Sequence, residues 1–559
     1  MIDCNASAEV PALVQSPARD FPVNWRAESD AEGLWAWDGM HCPHPLTPLS
    51  IDFVSILTRR AFDMSGQPPE KWVAPFFPNG FMYSRYELPA AGAPSDADPA
   101  RDAYRAKVAE QAPQIARLWS RRWQPRVRRL AAAIREPGTE SMQLPELRRH
   151  LAASIDKAAT AFAITLEAAE PMFHGVEQLY SFCEEELGAE GVALAGASIQ
   201  GYANASSQSE VALFDLALLA RELDLDGIFL KTGAADLEAS IRHEKRGPRF
   251  LAALGAAMDR FGWRAPGWFE LSLPSWRENH GVPLGLIRGY LDDACADPRL
   301  ALAKAARGRR GALRRVRGAL AAKKLSRFED LWRTARQFVP VSEARALWQL
   351  SLGGFLRVPA LALGRRLTEA GALTSPEDVF YLTLAEVEAG GEVDIAARRA
   401  ERDRWLSAVP PLTLGRSPAP PPASDGAAPS APPALPFGAR MISGFSFERS
   451  DDARVLKGQP ASPGLATGRA RVLQTVDEAA RVEPGDILVC RFTTPAWSHL
   501  FSRVSAIVAD SGGVLSHCAI LAREYSIPCV PGVRNGTRRI RDGMILTVDG
   551  TQGIVRIED

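Results

Sequence analysis

Apolar residues recur at helical spacing through most of the region between residues 100 and 400. The charged, alanine-rich run from Arg101 to Ala133 carries them three to four positions apart, and the run from Leu144 to Leu187 repeats the pattern. This spacing places apolar side chains along one face of a helix, where neighbouring helices can cover them. The polar stretch 201–207 interrupts the pattern, which resumes from Glu210 to Leu223. We therefore predict a mainly α-helical N-terminal and central region.

The last hundred residues follow a different pattern, in which short apolar runs alternate with short helical segments. Such alternation predicts an α/β domain. The predicted strands are 470–473, 487–490, 506–509, 545–548 and 554–557, and the predicted helices are 477–481, 495–501 and 517–524.

A segment rich in proline, alanine and serine separates these two patterns. From Pro410 to Pro436 there is almost no large apolar residue, so the segment cannot bury a core. At about 3.1 Å per residue, an extended proline-rich chain of this length reaches on the order of 80 Å. Composition leaves open whether this length serves domain motion or is an inert tether. The predicted division is an aromatic, proline-rich part at 1–95, a helical region at 96–408, the linker at 409–440 and the C-terminal domain at 441–559.

Composition excludes several classes of function. Lys and Arg together number 66, as do Asp and Glu, so no basic excess indicates a nucleic-acid partner. The seven cysteines include no CxxC pair, which argues against a zinc site or a disulfide framework. The first residues lack a signal-peptide pattern, and no apolar run is expected to cross a membrane. We therefore expect a soluble cytoplasmic protein.

Aromatic side chains are concentrated between residues 25 and 86, and Trp35 and Trp37 are candidate substrate-binding residues among them. The sequence leaves open whether these rings form a core or line an apolar pocket. Prolines force turn or extended backbone onto the string that follows. This string contains His41, Cys42 and His44, but their spacing is too tight for a usual zinc site, so we expect no metal there.

A glycine pair and a histidine follow the strand predicted at 506–509. Gly512 and Gly513 permit positive φ and a close approach of the backbone to a ligand. The helix predicted to begin at His517 offers unpaired N–H groups to an anion. A neutral imidazole can attack phosphorus without first losing a proton. A histidine beside a turn can instead cap or pack, but this pattern marks His517 as a candidate catalytic residue, with the two glycines near the phosphate.

The histidine lies in a longer ordered string, Gly512-Gly513-x-x-Ser516-His517-x-Ala519-Ile520-x-Ala522-Arg523-Glu524-x-x-Ile527-Pro528. Flanking strings include Ala461-Ser462-Pro463-Gly464 upstream and Val548-Asp549-Gly550 downstream. Together they resemble the phosphohistidine (mobile or swivelling) domain of the PEP-utilising enzyme family. That family includes PEP synthase, pyruvate phosphate dikinase, rifampin phosphotransferase and phenylphosphate synthase. The resemblance implies that His517 is phosphorylated and that the chain belongs to a phosphotransferase.

Three earlier segments resemble proteins of the same family. They are the string beginning Trp35-x-Trp37-Asp38, the stretch Phe261-Gly262-Trp263-Arg264 leading to Glu278, and the stretch from Gly371 to Thr383. The first of them is similar to the start of the substrate-binding region in rifampin-phosphotransferase-like proteins. Arg264 either neutralises charge on a substrate phosphate or forms a buried ion pair, for which Glu278 is the candidate partner.

Three further residues are candidates for phosphate binding. Ser516 either orients His517 or caps the helix. Arg523 lies nearly two turns beyond His517, so it either pairs locally or meets phosphate in a docked complex. Thr494 lies in a turn that the family places near the histidine, and it could serve only to form that turn.

The dikinase-like members contain an ATP-grasp domain, yet the sequence has no glycine-rich phosphate loop followed by lysine and no run typical of a PEP-binding barrel. The chain is similar in plan to phenylphosphate synthase, which implies a separate ATP-grasp subunit that supplies the phosphoryl group from ATP with Mg²⁺. His517 would then carry this group to a hydroxyl-bearing organic substrate held by the helical region. The alternatives are a non-catalytic phosphocarrier or regulatory subunit that docks another enzyme, and a PEP-synthase-like transfer to pyruvate.

Overall fold

The structure is a computed structural model that describes residues 21–39, 41–65, 72–86, 99–135, 138–233, 236–291, 297–390, 393–406, 408, 410–411, 413–415, 452, 454–474, 476–493 and 495–558. Most of the predicted linker, 416–440, lies outside these residues, as does Thr494.

The region before the predicted linker is mainly helical. Its α-helices are α1 Glu28–Ala31, α2 Pro48–Ser65, α3 Pro99–Gln111, α4 Ile115–Leu118, α5 Gln124–Arg135, α6 Leu144–Glu167, α7 Ala169–Ser198, α8 Ala205–Glu222, α9 Asp226–Lys231, α10 Leu237–His243, α11 Gly247–Phe261, α12 Gly281–Leu291, α13 Pro298–Ala319, α14 Ala322–Ala335, α15 Phe338–Glu369, α16 Leu384–Ala389 and α17 Ile395–Leu406. A π-helical turn at Trp119–Trp123 joins α4 to α5, and short 3₁₀ turns lie at Pro78–Gly80, Ala112–Gln114, Thr139–Ser141 and Pro376–Tyr381.

Helix α6 lies at the centre of this region and packs against α2, α5 and α15. Its large apolar side chains Leu147, Leu151, Ile155, Phe162 and Ile164 are buried, as the helical periodicity predicts. Helix α2 belongs to the predicted first part, 1–95, yet it packs along α6. The first part and the helical region therefore share one core.

A small antiparallel sheet adjoins this core. Its strands are β1 Leu34–Trp37, β2 Tyr83–Tyr86 and β3 Thr413–Leu414, in the order β2-β1-β3. Strand β3 lies within the segment predicted as linker, where Trp35 pairs with Leu414. The chain therefore returns to the first part of the protein before it continues to the C-terminal domain.

One described helical stretch, Ala322–Glu369, contains a window whose length and composition would suit a membrane span, and 72% of that window is buried inside the protein. The expectation from sequence that no apolar run is long enough to cross a membrane was therefore wrong as judged by length and composition. The burial shows why a core helix meets it: the apolar side chains of α15 are covered by other helices.

The C-terminal domain contains a seven-stranded mixed sheet. Its strands are β4 Val455–Lys457, β5 Leu465–Leu473, β6 Ile487–Cys490, β7 Ala506–Ala509, β8 Cys529–Pro531, β9 Ile545–Asp549 and β10 Ile554–Ile557, in the order β4-β10-β9-β5-β6-β7-β8. The helical segments are Val476–Arg481, Pro495–Ser502, α18 His517–Tyr525 and α19 Gly536–Arg539.

Strands β5 to β8 run parallel, and every residue of β6, β7 and β8 is buried. Parallel strands covered on both faces read as continuous apolar runs, so the predicted strands 487–490 and 506–509 are confirmed. Strands β4 and β8 were missed because three residues carry too little periodicity. The predicted fold class, helical regions followed by an α/β domain, is confirmed.

Candidate functional site

His517 is presented by a tight turn at the carboxyl end of β7. Gly512 has a φ of +108°, and a Cβ atom there would lie 2.9 Å from Ser516. The Ser516 hydroxyl donates a 2.6 Å hydrogen bond to the carbonyl of Gly513. Ser516 therefore closes the glycine turn, whereas the predictions had it orient His517 or cap the helix, and its side chain makes no cap hydrogen bond.

The His517 ring faces the helical region rather than the core of its own domain. Its Nδ1 atom lies 3.9 Å from Oε2 of Glu343 at the start of α15, and the two side chains are only 14% and 5% exposed. Its Nε2 atom is buried and has no hydrogen-bond partner among the described residues. One ring nitrogen therefore faces a carboxylate, while the other keeps its lone pair.

Glu343 is an ionised carboxylate within this interface. Burial would raise its pKa, but the neighbouring His517, the hydroxyl of Ser206 and the charge of Arg345 bring the pKa below its ordinary value. Ser206 donates a hydrogen bond to the same Oε2 atom that faces His517. A carboxylate at Nδ1 favours the tautomer that keeps the proton on Nδ1 and leaves Nε2 as the nucleophile.

Arg264 supplies a buried positive charge on which the carboxylates of Glu343 and Glu210 act. Its guanidinium lies 4.4 Å from the centre of the Trp276 ring, and its Nη2 atom is buried without a partner among the described residues. Burial lowers its pKa to about 10, and the charges of Glu343 and Glu210 oppose that shift. Arg264 therefore stays protonated at neutral pH.

The suggested pairing of Arg264 with Glu278 is wrong. Both carboxylate oxygens of Glu278 accept 2.9 Å hydrogen bonds from Nε of Arg357, and Nη1 of Arg357 donates to the carbonyl of Leu271. The carboxylates whose charges act on Arg264 are instead those of Glu343 and Glu210.

The end of α18 also contacts the helical region. The Asn204 amide donates a 3.2 Å hydrogen bond to Glu524, and the Tyr525 hydroxyl donates a 3.1 Å bond to Glu210. Burial raises the pKa of Glu524 well above its ordinary value, and the carboxylates of Glu210 and Glu343 add to the shift. Sequence analysis missed these residues because helical spacing alone does not reveal which partner a face will meet.

Arg523 turns away from His517. Its Nη1 atom donates a 2.7 Å hydrogen bond to the carbonyl of Ala461 in its own domain, as the local alternative predicted. Its Nε and Nη2 atoms are buried without partners among the described residues. Its charge acts on Tyr180 of α7, so Arg523 lies against that helix in this docked arrangement.

The structure decides between the core and pocket alternatives for Trp35 and gives Trp37 a different environment. Trp35 is completely buried and donates a 2.7 Å hydrogen bond to the carbonyl of Asp30, so it is a core residue that no substrate can reach. The Trp37 indole N–H donates to the carbonyl of Cys42 at 3.0 Å and holds the loop that follows β1. Although both tryptophans belong to β1, Trp35 therefore has a core position and Trp37 contacts the loop.

No group of three or more His, Cys, Asp or Glu side chains is arranged to hold a metal ion in the part of the chain that the structure describes. Mg²⁺ and ATP remain expectations for a partner subunit.

Two protein families match segments on the two sides of this interface. Residues 482–553 match the PEP-utilising enzyme mobile domain, and residues 164–343 match the rifampicin phosphotransferase fourth domain. The first segment contains His517, and the second ends at Glu343, so the contact between them joins the two matched regions.

Curated relatives agree with these matches. The chain is 28% identical to chondramide synthase cmdD of Chondromyces crocatus over 98% of its own length, and 32% identical to a rifampicin phosphotransferase of Streptomyces sviceus over 55%. Over 18% of its length it is 49% identical to a phosphoenolpyruvate synthase of Aeropyrum pernix. The chain spans only 14%, 34% and 12% of these three relatives.

The fold, the presented histidine and the family matches agree. The chain contains one segment that matches the mobile domain of PEP-utilising enzymes and another that matches the rifampicin phosphotransferase fourth domain.

Proposed function

We propose that this chain carries a phosphoryl group on His517 and delivers it to a hydroxyl-bearing organic substrate at the interface with the helical region. A separate ATP-grasp subunit supplies the group from ATP. The observation that carries the proposal is the placement of His517, whose Nε2 atom is buried and unpartnered while Nδ1 faces Glu343.

The neighbouring charges suit such a transfer. Phosphohistidine with the phosphoryl group on Nε2 is a good donor when Nδ1 holds a proton, because the ring then leaves as neutral imidazole. The ionised Glu343 stabilises that proton in the docked arrangement. Arg264 and Arg345 offer positive charge to a group that carries negative charge throughout the transfer.

The transfer moves the phosphoryl group from nitrogen to oxygen. The Nε2–P bond breaks, a bond forms between the acceptor oxygen and phosphorus, and the hydroxyl proton passes to a base. His517 is regenerated with its Nδ1 proton in place. Because Glu343 belongs to the helical region, this assistance exists only when the mobile domain is docked there.

Chemical loading tests the carrier role without the donor subunit. Potassium phosphoramidate should phosphorylate the wild-type protein, giving an acid-labile, base-stable phosphate on His517, and the His517→Ala variant should lack it. Incubation of the loaded protein with phenol and benzyl alcohol should yield organic phosphate, measured by ³¹P NMR. Equal labelling of the His517→Ala variant would refute the carrier role.

The donor is tested separately. The wild-type chain and an ATP-grasp protein encoded beside it should label His517 from ATP that carries ³²P at the β or γ position. No label on His517 with either ATP would contradict the proposed donor while leaving chemical loading unaffected.

A further inference from the structure

The loop after β1 holds a histidine and a carboxylate that the carrier chemistry has not used. Nδ1 of His41 lies 2.9 Å from Oδ2 of Asp38, and the backbone N–H of His41 also donates to Asp38 at 3.1 Å. Two contacts from one carboxylate fix both the loop and the ring. The imidazole is therefore held with Nε2 on the side opposite Asp38.

Aromatic rings flank the imidazole. Trp268 meets it edge-on with ring centres 5.6 Å apart, and Phe269 lies at 5.9 Å. The His41 side chain is 34% exposed, so a small molecule can reach it, unlike the sealed Trp35. The hydrogen bonds of the ring run through Nδ1 to Asp38. An accessible imidazole beside apolar rings suits a hydroxyl group on an apolar or aromatic molecule.

Two charged side chains, Arg345 and Arg491, act both on this loop and on groups near His517. Arg345 acts electrostatically on both His41 and Glu343, and Glu343 contacts the His517 ring. On the other side, Arg491 acts on His44 of the loop, and its carbonyl accepts a 2.9 Å hydrogen bond from Ser511 in the glycine turn. The loop and the carrier histidine are therefore under the influence of the same charged side chains.

We propose that His41, oriented by Asp38, is the general base that takes the proton from the acceptor hydroxyl as the phosphoryl group leaves His517. This inference rests on the proposed function. The acceptor O–H bond breaks toward Nε2 of His41, the O–P bond forms, and the Nε2–P bond of phospho-His517 breaks. Asp38 stabilises the resulting imidazolium through Nδ1, and Arg345 lies where it can face the transferred phosphate.

The charges around His41 suit a base that works near neutral pH. Burial and Arg345 lower its pKa, but Asp38 more than offsets them, so the pKa of His41 lies above its ordinary value. A general base is most effective when its pKa lies near the working pH, and such bases contribute about 10²- to 10⁴-fold.

The test separates loading from discharge. The wild-type protein and the variants His41→Gln and Asp38→Asn are loaded with phosphoramidate, and discharge to phenol and benzyl alcohol is followed by ³¹P NMR. We expect normal loading and a discharge rate at least about 100-fold lower in His41→Gln. In Asp38→Asn the rising limb of the pH–rate profile should shift to lower pH, because the carboxylate raises the pKa of His41. Imidazole in the buffer should partly restore the rate of His41→Gly.

A remote histidine–carboxylate pair provides the control. Nδ1 of His280 lies 3.0 Å from Glu238, and His280→Gln should discharge at the wild-type rate. Wild-type discharge by His41→Gln would refute the role of His41 alone. A wild-type protein that loads but transfers to neither probe would refute both the transfer and its base, and a protein that does not load would refute the carrier.

Discussion

Replacing Glu343 with glutamine keeps the side-chain volume and removes the charge that faces the carrier histidine. The Nδ1–Oε2 distance of 3.9 Å and the burial of both side chains set the magnitude. Two unit charges about 4 Å apart interact by about 4 kcal/mol at an effective dielectric constant of 20, which is an upper bound. A hydrogen bond to a charged group contributes about 1.5–3 kcal/mol. Because about 1.4 kcal/mol corresponds to a tenfold change in rate, discharge should slow by about 10- to 1,000-fold.

The assay is single-turnover discharge of phosphoramidate-loaded protein. Loading of Glu343→Gln should match the wild type, since the carboxylate acts only in the docked arrangement. Glu386→Gln removes a carboxylate that pairs with Arg398 instead, and it should discharge normally below its unfolding temperature. Wild-type discharge by Glu343→Gln would show that the carboxylate does not assist departure of the ring.

Three further predictions concern the turn, the interface and the helical core. Gly512→Ala should destabilise the protein more than Gly543→Ala. Both glycines have positive φ, which costs an alanine about 1–2 kcal/mol, but only a Cβ atom at position 512 would also lie 2.9 Å from Ser516. Thermal denaturation of the two variants measures the difference. The pKa of Glu524 is raised in the folded protein, so its contribution to folding stability should fall as pH rises from its unfolded pKa through its folded pKa. Glu524→Gln should therefore raise Tm relative to wild type at pH 8 and not at pH 4. Equal Tm shifts at the two pH values would contradict this. Arg357→Met should cost about 2 kcal/mol of unfolding free energy because it removes the charged donor to Glu278, which among the described residues keeps only its hydrogen bonds from Ser275; an unchanged denaturant midpoint would refute that.

The sequence was sufficient to predict elements that depend on local pattern. Helical periodicity located α6, and continuous apolar runs located β6 and β7, because a buried face must repeat with the period of the backbone that carries it. The glycine pair and His517 were identified in the same way, since positive φ at Gly512 is a local requirement. The family resemblance is confirmed on the same residues.

Only the tertiary structure decided which side chains meet. Glu343 lies 174 positions before His517, and no periodicity relates positions so far apart. The structure assigned Glu278 to Arg357 instead of Arg264, and it buried Trp35 in a core while leaving the His41 side chain partly exposed. The sequence offers several possible partners to a charged or aromatic side chain. The packing of helices and sheet selects among them, because a charge that becomes buried needs a partner in its immediate surroundings.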